Sequence, residues 1–126
     1  MLSSIRVLEI CDEAGALAGK ILGDLGADVV KVETPGGDLH GRRPPYLGGV
    51  LDPERSLAWL ALNTSKRGIT LDPEPSAGRA LLQRLLDHTD VLLDTFAPGT
   101  LEAWGLGWDA MQRQFPRLVR CAATRR

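Results

Sequence analysis

Two acidic side chains follow the first apolar segment of the chain, and they bear on which nucleotide could bind there. Residues 5–10 predict a buried strand, and the turn after it, residues 11–16, contains Asp12 and Glu13 but a single glycine. A dinucleotide site needs a G-x-G-x-x-G turn, because backbone amides must approach a pyrophosphate. Carboxylates here would repel a diphosphate. The turn therefore disfavours an NAD site, although Glu33 resembles the ribose-binding acid of such proteins.

Two further segments carry groups that could contact a ligand. Lys66 and Arg67 precede the third predicted strand, where a cationic pair could steer a phosphate. Charged runs of this kind more often lie in a solvated loop. Phe96 stands beside a proline-glycine turn, residues 95–99, where its ring could stack on a base or fill the space under the loop. Taken alone, the residues favour the second interpretation of Phe96.

The residue types predict neither nucleophilic nor metal chemistry. His40 and His88 have no second ligand at a useful spacing, so no metal site is expected. No cysteine or serine is paired with a histidine, and no carboxylate pair is implied. Cys11 and Cys121 stand in apolar surroundings, which predicts two buried thiols in a reducing cytoplasm.

The segment LGADVVKVETPGGD, residues 25–38, places a candidate site at the edge of a sheet. It predicts a helix end at Gly26, a buried strand over residues 28–32 and a glycine-rich loop over residues 33–38. In open α/β sheets, ligands bind outside the carboxyl ends of the strands. We therefore expect a ligand at the loop that follows this strand.

Strand and helix patterns alternate along the chain. Strands are predicted over residues 5–10, 28–32, 67–71, 90–93 and 118–122. Helices are predicted before Gly26, over residues 56–62, from within the LDPEP segment to about His88, and over residues 109–115. Such alternation predicts an α/β fold with a mostly parallel sheet and flanking helices. The long segment over residues 33–55 has no periodicity, which is typical of a functional loop or of one held by a partner.

The first predicted helix carries two stripes. Its apolar stripe consists of Leu17, Ile21, Leu22 and Leu25. A neighbouring stripe consists of Gly15, Gly19 and Gly23. Each glycine inside a helix costs about 1 kcal/mol relative to alanine. We expect close approach of the helix to the sheet to explain them.

Packing of the later helices can be predicted from single residues. LDPEP, residues 71–75, predicts a helix start with Asp72 or Glu74 as N-cap and the following proline in the first turn. The side chains expected to face the core are Leu81, Leu82, Leu85 and Leu86. Trp104 and Trp108 are expected to pack on helix faces.

Composition and charge are those of an ordinary soluble domain. The chain has 126 residues, 44% apolar and 25% charged, with a net charge of −1, which predicts one domain over residues 1–126. The charge gives no bulk attraction to nucleic acid or membrane. No apolar run is long enough to span a bilayer, and the first ten residues do not resemble a secretory signal. A cytoplasmic protein with neither a nucleic-acid nor a membrane partner is expected.

These motifs, in this order, resemble the N-terminal part of the class III coenzyme A transferase family. The family is of the CaiB/BaiF type and includes formyl-CoA transferases and α-methylacyl-CoA racemases. The matching segments are IRVLEI (5–10), AGALAGKILGDLGADVVKVETPGGD (14–38), LNTSKRGITLD (62–72), residues 78–93, TFAPGTLEAWGLGWDAM (95–111) and PRLVRCAAT (116–124).

The resemblance implies a fold, a reaction and a ligand. It implies a Rossmann-like large domain, an intertwined dimer, and transfer of coenzyme A between carboxylic acids through an aspartyl–CoA thioester. Coenzyme A is then the ligand, and no metal is required. The family's coenzyme A contacts fall on Glu13, Ala14, Thr34, Leu71, Asp72, Pro73, Glu74, Thr95, Phe96, Ala97 and Ala103.

Four positions depart from residues that are frequent in the family. Thr34 stands where some members have an arginine and others a proline, Ala103 replaces a frequent arginine, Ala16 a frequent proline, and Thr95 a frequent asparagine. A charge-assisted contact is worth about 1.5–3 kcal/mol. Losing two of them would weaken coenzyme A binding by orders of magnitude.

The resemblance also places the nucleophilic aspartate beyond residue 126, so no catalytic residue is assigned. We expect the coenzyme A-binding portion of a CoA-transferase, incomplete relative to the family's large domain and inactive alone. The parent enzyme would use an acyl-CoA and a carboxylic acid, with a homodimer or a complementing chain as partner. Open alternatives are part of an acyl-CoA racemase, a degenerate member serving dimerisation or scaffolding, and an NAD-dependent oxidoreductase.

Overall fold

A computed structural model of the chain describes residues 1–37 and 42–123, in which strands and helices alternate. The strands are β1 (Arg6–Ile10), β2 (Asp28–Glu33), β3 (Lys66–Thr70), β4 (Val91–Asp94) and β5 (Val119–Ala122). The helices are α1 (Glu13–Asp24), α2 (Leu57–Leu62), α3 (Ser76–Leu86), α4 (Thr100–Ala103) and α5 (Trp108–Gln114). The strands form one sheet in the order β3-β2-β1-β4-β5, and every neighbouring pair is parallel. The predicted α/β class and parallel sheet are confirmed.

Register places alternate residues of the central strands on opposite faces. Val7 of β1 is level with Val29 of β2 and Val91 of β4, and Leu8 is level with Val30. Because side chains alternate along a strand, odd-numbered residues of these three strands share one face and even-numbered residues share the other.

The face that carries the even-numbered residues is covered by α3, α4 and α5. The buried side chains of this leucine-rich core are Leu8, Val30, Val32, Leu71, Leu82, Leu86, Leu92, Leu101, Leu106, Met111 and Phe115. Two of the four α3 leucines predicted to face the core are fully buried, and Leu85 packs partly against it. The prediction is wrong for Leu81, which is 48% exposed, because it lies at the outer edge of the stripe.

The other face is covered by α1, which approaches it through its glycine stripe. Gly15, Ala16 and Gly19 are the buried residues of α1, and a Cβ at Gly19 would overlap the Glu9 carboxylate. The expected close approach is therefore present. Leu22 packs partly against this face, but two other apolar residues of α1 point elsewhere: Leu17 is 53% and Ile21 is 50% exposed. They cannot face the sheet because no room for a leucine remains at this helix–sheet distance.

The predicted start of α3 is wrong. Helix α3 begins at Ser76, and Pro75 is its N-cap without a capping side chain. The Asp72 carboxylate instead accepts a hydrogen bond from the Glu74 amide at 3.0 Å. A side chain that closes its own local turn is not available to cap a later helix. The segment 71–75 is thus a structured loop between β3 and α3.

The two cysteines differ in environment, which corrects the prediction that both are buried. Cys11 is buried, but Cys121 is exposed. Cys121 lies on β5, an edge strand, level with Leu93. Burial, with Glu9 nearby, raises the pKa of the Cys11 thiol from 9.0 to about 12.

We expect a thiol reagent to modify Cys121 rapidly near pH 8, whereas Cys11 reacts only after unfolding, because thiolate and access are both required. Absorbance with a chromogenic disulfide measures both phases, and Cys121→Ser should abolish the fast one. Two fast thiols would contradict this assignment. The stabilisation from the protonated Cys11 thiol is complete below pH 9, where the unfolded state also holds the proton, and is lost as pH rises towards 12.

Candidate functional site

The carboxyl ends of four neighbouring strands meet at one edge of the sheet. Glu13 and Ala14 begin α1 directly after the β1 turn, the loop after β2 holds Thr34, the loop after β3 holds residues 71–74, and the loop after β4 holds residues 95–97. Because these strands are parallel and adjacent, the loops are neighbours in space. Ala103 lies at the exposed C-terminal end of α4, which follows the β4 loop. The structure thus brings the predicted positions to one edge.

The acidic turn after β1 is occupied by its own hydrogen bonds. The Asp12 carboxylate accepts from the Ala14 amide at 2.8 Å and caps α1. The Asp12 amide donates to the Thr95 hydroxyl at 2.8 Å, which ties the β1 loop to the β4 loop. The Glu13 carboxylate pairs with Arg43 at 2.6 Å. A helix start capped by its own carboxylate is not the glycine-rich turn that a dinucleotide needs, in agreement with the sequence argument against NAD.

A cleft of about 350 Å³ lies beyond the ends of β2 and β3. The residues that line it are Glu33, Thr34, Pro35, Gly36, Gly37, Arg42, Pro53, Glu54 and Thr70. The cleft contains both hydrogen-bond acceptors and a guanidinium, and its glycines keep the backbone accessible. Asp38, the last residue of the glycine-rich loop predicted over residues 33–38, lies outside the described residues.

Arg42 is a cleft residue that the sequence did not single out. Its guanidinium lies 3.4 Å from the Glu33 carboxylate and 3.4 Å from the Glu54 carboxylate. The same group stacks 3.9 Å from the centre of the Trp59 ring. An arginine inside a long aperiodic segment gives no signal of where its side chain will reach, so only the fold could reveal it.

The loop after β3 is held by backbone contacts. The Leu71 amide donates to the Glu33 carbonyl at 2.8 Å, which joins this loop to the cleft. Leu71 and Pro73 are buried, whereas Glu74 is exposed. A Cβ at Gly78 of α3 would overlap the Asp72 carbonyl, so α3 rests directly on the loop. Leu71 and Pro73 therefore shape the loop, and Glu74 presents a side chain to solvent.

The loop after β4 is fixed from below. The buried Asp94 carboxylate accepts from the Phe96 amide at 3.3 Å and pairs with Arg120 at 2.8 Å. The Phe96 ring packs against the leucine-rich core and meets Trp104 edge to face, with ring centres 5.4 Å apart. These contacts support the interpretation that Phe96 fills the space under its loop. Ala97 is exposed in this loop, and Thr95 is half-buried.

Trp108 does not pack on a helix face as predicted. It is 50% exposed at the start of α5, and the Arg120 guanidinium lies 4.6 Å from the centre of its ring. Trp104 is half-buried and does pack against the core. Trp108 therefore packs against the Arg120 guanidinium and not against an apolar side chain.

Lys66 and Arg67 lie in different environments, one buried and one exposed. The Lys66 side chain is 2% exposed and lies 2.7 Å from the Glu9 carboxylate. Arg67 pairs with Asp28 at 2.8 Å, at the amino end of the sheet, and lowers the pKa of that carboxyl. The solvated interpretation is therefore wrong for Lys66, which pairs with Glu9 two strands away, whereas Arg67 is 65% exposed while it pairs with Asp28 on the adjacent strand.

Glu9, Lys31 and Lys66 form a buried charge cluster beneath α1. Lys31 lies 2.9 Å and Lys66 lies 2.7 Å from the Glu9 carboxylate. Burial lowers the pKa of Lys66, although its hydrogen bond to Glu9 acts in the opposite direction. A sequence signal existed, since Glu9 and Lys31 interrupt otherwise apolar strands. Buried charges of this kind are stable only when they are paired.

The described residues 1–37 and 42–123 contain no cluster of three or more His, Cys, Asp or Glu side chains that could hold a metal. None of the helices in these ranges is both long and apolar enough to cross a membrane. His88 lies in a groove of about 380 Å³ between β3 and α3. His40 lies outside the described residues.

Comparisons with known proteins converge on one family. The sequence model of CoA-transferase family III matches residues 2–125. Succinyl-CoA–D-citramalate CoA-transferase of Chloroflexus aurantiacus is 43% identical over 122 residues, covering 94% of this chain and 29% of that protein. The beta subunit of succinyl-CoA–L-malate CoA-transferase of the same organism is 39% identical, covering 98% of this chain and 30% of that protein.

Solved structures agree with the sequence comparisons. A crystal structure of the protein Rv3272 from Mycobacterium tuberculosis superposes with a TM-score of 0.84 at 36% identity, covering 98% of this chain and 33% of that one. A CAIB/BAIF family protein from Brucella suis superposes with a TM-score of 0.82 at 37% identity. The chain spans about 30% of the length of the curated relatives it matches. With the family model covering nearly every residue, the chain belongs to CoA-transferase family III.

Proposed function

We propose that this chain binds coenzyme A at the carboxyl edge of its sheet and supplies that part of a CoA-transferase. The observation that carries the proposal is the convergence of four loops, each bearing family contact positions, around one edge with a cleft of about 350 Å³. Such an edge is where ligands bind in open α/β sheets.

The cleft suits the nucleotide end of the ligand. Thr34 lines it, and the resemblance assigns this position to the adenine. Glu33 offers carboxylate oxygens that can accept from ribose hydroxyls. Arg42 lies within the same cleft and provides a guanidinium near the position where other members have an arginine in place of Thr34. This nearby cation supports retained binding despite the substitution at Thr34.

The reaction class comes from the relatives. Their names describe transfer of coenzyme A from succinyl-CoA to D-citramalate or L-malate. We propose an acyl-CoA and a carboxylic acid as the substrates of the whole enzyme, with the nucleophilic aspartate outside these 126 residues. In this assignment the chain binds and orients coenzyme A, and none of its residues performs the covalent step.

A second chain is the partner that we propose for the whole enzyme, as a homodimer or as a complementing subunit. Apolar side chains on the outer face of α1 support this, since Leu17 is 53% and Ile21 is 50% exposed. Exposed apolar stripes on helices commonly mark association surfaces. One relative is named as a beta subunit and others as alpha subunits of succinyl-CoA–L-malate CoA-transferase.

A scaffolding role without coenzyme A binding is the competing function, and the substitutions at Thr34 and Ala103 favour it. Calorimetric titration separates the two. We expect coenzyme A to bind with a dissociation constant of roughly micromolar order, about −8 kcal/mol, and NAD to give no saturable heat. No coenzyme A binding at about millimolar ligand would reject the proposal and support the scaffold.

A further inference from the structure

One peptide group at the start of α1 is held at both ends by side chains, one from β2 and one from the loop after β4. Its carbonyl belongs to Cys11 and accepts a hydrogen bond from the Lys31 ammonium at 3.1 Å. Its amide belongs to Asp12 and donates to the Thr95 hydroxyl at 2.8 Å. With both ends fixed, the plane of this peptide cannot rotate. Its orientation sets the Asp12 cap and therefore the first turn of α1, which carries Glu13 and Ala14.

Lys31 is placed for this contact by the buried charge cluster. Its side chain is 3% exposed, its ammonium lies 2.9 Å from Glu9, and it lies 5.1 Å from the centre of the Trp59 ring. A cleft residue contacts the same indole, since the Arg42 guanidinium stacks on the Trp59 ring at 3.9 Å. Lys31 thus contacts the β1 turn, and it lies near the same Trp59 ring that the cleft residue Arg42 contacts.

We propose that Lys31 is a positioning residue for coenzyme A, acting through the Cys11 carbonyl to hold the β1 turn in its binding geometry. The inference rests on the proposed function. Lys31 does not touch the ligand, because it lies beneath the turn and is buried. Its role is to keep the Cys11–Asp12 peptide in one orientation.

The cluster offers a matched control for this role. It contains two ammonium groups and one carboxylate, so removing either lysine leaves one balanced pair with Glu9. Lys31→Met loses the contact to the Cys11 carbonyl. Lys66→Met keeps that contact and loses instead the donations to the Ala16 carbonyl and to Asn63. Both variants remove one buried charge, but only the first releases the β1 turn.

The experiment compares these two variants in three measurements. Urea unfolding gives their stability, residue-resolved hydrogen exchange reports on the Asp12 and Gly15 amides, and calorimetry gives coenzyme A affinity. We expect Lys31→Met to accelerate exchange at these amides and to weaken coenzyme A binding by roughly tenfold relative to Lys66→Met, as befits loss of a charged hydrogen bond. Equal exchange and equal affinity in the two variants would overturn the proposal.

Failure of the proposed function gives a different result. Wild-type protein that binds no coenzyme A rejects that function, whereas the exchange comparison still decides whether Lys31 holds the turn. If Lys31→Met does not fold, Thr95→Val tests the other end of the same peptide. It should accelerate exchange of the Ala14 and Gly15 amides, and unchanged exchange there would count against the proposal.

Discussion

Replacing Glu9 by glutamine is expected to lower the free energy of unfolding by about 3–5 kcal/mol, the usual cost of leaving buried charges without a partner. Glu9 is fully buried and is the carboxylate that both Lys31 and Lys66 contact. Glutamine keeps the size of the side chain but removes its charge. Two ammonium groups would then remain beneath α1 without compensation. Urea unfolding of wild type and variant measures the difference.

A triple variant separates charge from packing. Glu9→Met, Lys31→Met and Lys66→Met together remove every charge of the cluster, and apolar replacement of a buried ion network is often neutral or stabilising. We expect this variant to be more stable than Glu9→Gln alone. A single Glu9→Gln variant as stable as wild type would show that the cluster does not hold α1 against the sheet.

Gly78→Ala is expected to destabilise the protein even though alanine is the better helix former. A Cβ at this position would overlap the Asp72 backbone carbonyl, and a backbone atom cannot move aside as a flexible side chain can. Overpacking costs about 1–3 kcal/mol, sometimes more, and the gain in helix propensity recovers about 1 kcal/mol. The net loss should therefore reach about 2 kcal/mol, accompanied by displacement of the loop over residues 71–74.

Ala80→Gly is the matched control for Gly78→Ala, because Ala80 is exposed on the same helix. It should cost about 1 kcal/mol through propensity alone and leave the loop unchanged. Chemical shifts of the Asp72 and Glu74 amides report on the loop in both variants. Stabilisation by Gly78→Ala would mean that α3 does not rest on the Asp72 carbonyl.

The central strands could be predicted because their sequences are short, largely apolar runs bounded by turn residues. Residues 28–32, for example, were predicted as a strand that the structure extends by one residue to Glu33. The parallel arrangement followed from the alternation with helices. It also placed the loops of the site at one edge, since the carboxyl ends of parallel strands share an edge.

The orientation of α1 could not be read from its apolar stripe. A periodicity of leucine and isoleucine normally marks the buried face of a helix. In α1 that stripe is exposed at Leu17 and Ile21, and the glycine stripe faces the sheet. The glycine stripe was the better predictor of the buried face. Glycine destabilises a helix, so three of them in one stripe are explained by a close contact with the sheet.

Long-range ion pairs were the part of the site that sequence reasoning missed. Lys66 reaches Glu9 across more than fifty residues, and Arg43 reaches Glu13 from a different loop. No local pattern predicts such a pairing, because it depends on which strands become neighbours. Once the order β3-β2-β1-β4-β5 is known, a buried lysine on β2 opposite a glutamate on β1 becomes expected.

The central claim is that coenzyme A binds at the carboxyl edge of the sheet, and a titration followed through backbone amide chemical shifts tests it most directly. We predict saturable changes confined to the loops around Glu13, Thr34, Asp72 and Phe96. Changes centred instead on the groove beside Arg67 and His88, at the amino end of the sheet, would contradict the claim. If no amide shows a saturable change, the claim is contradicted equally.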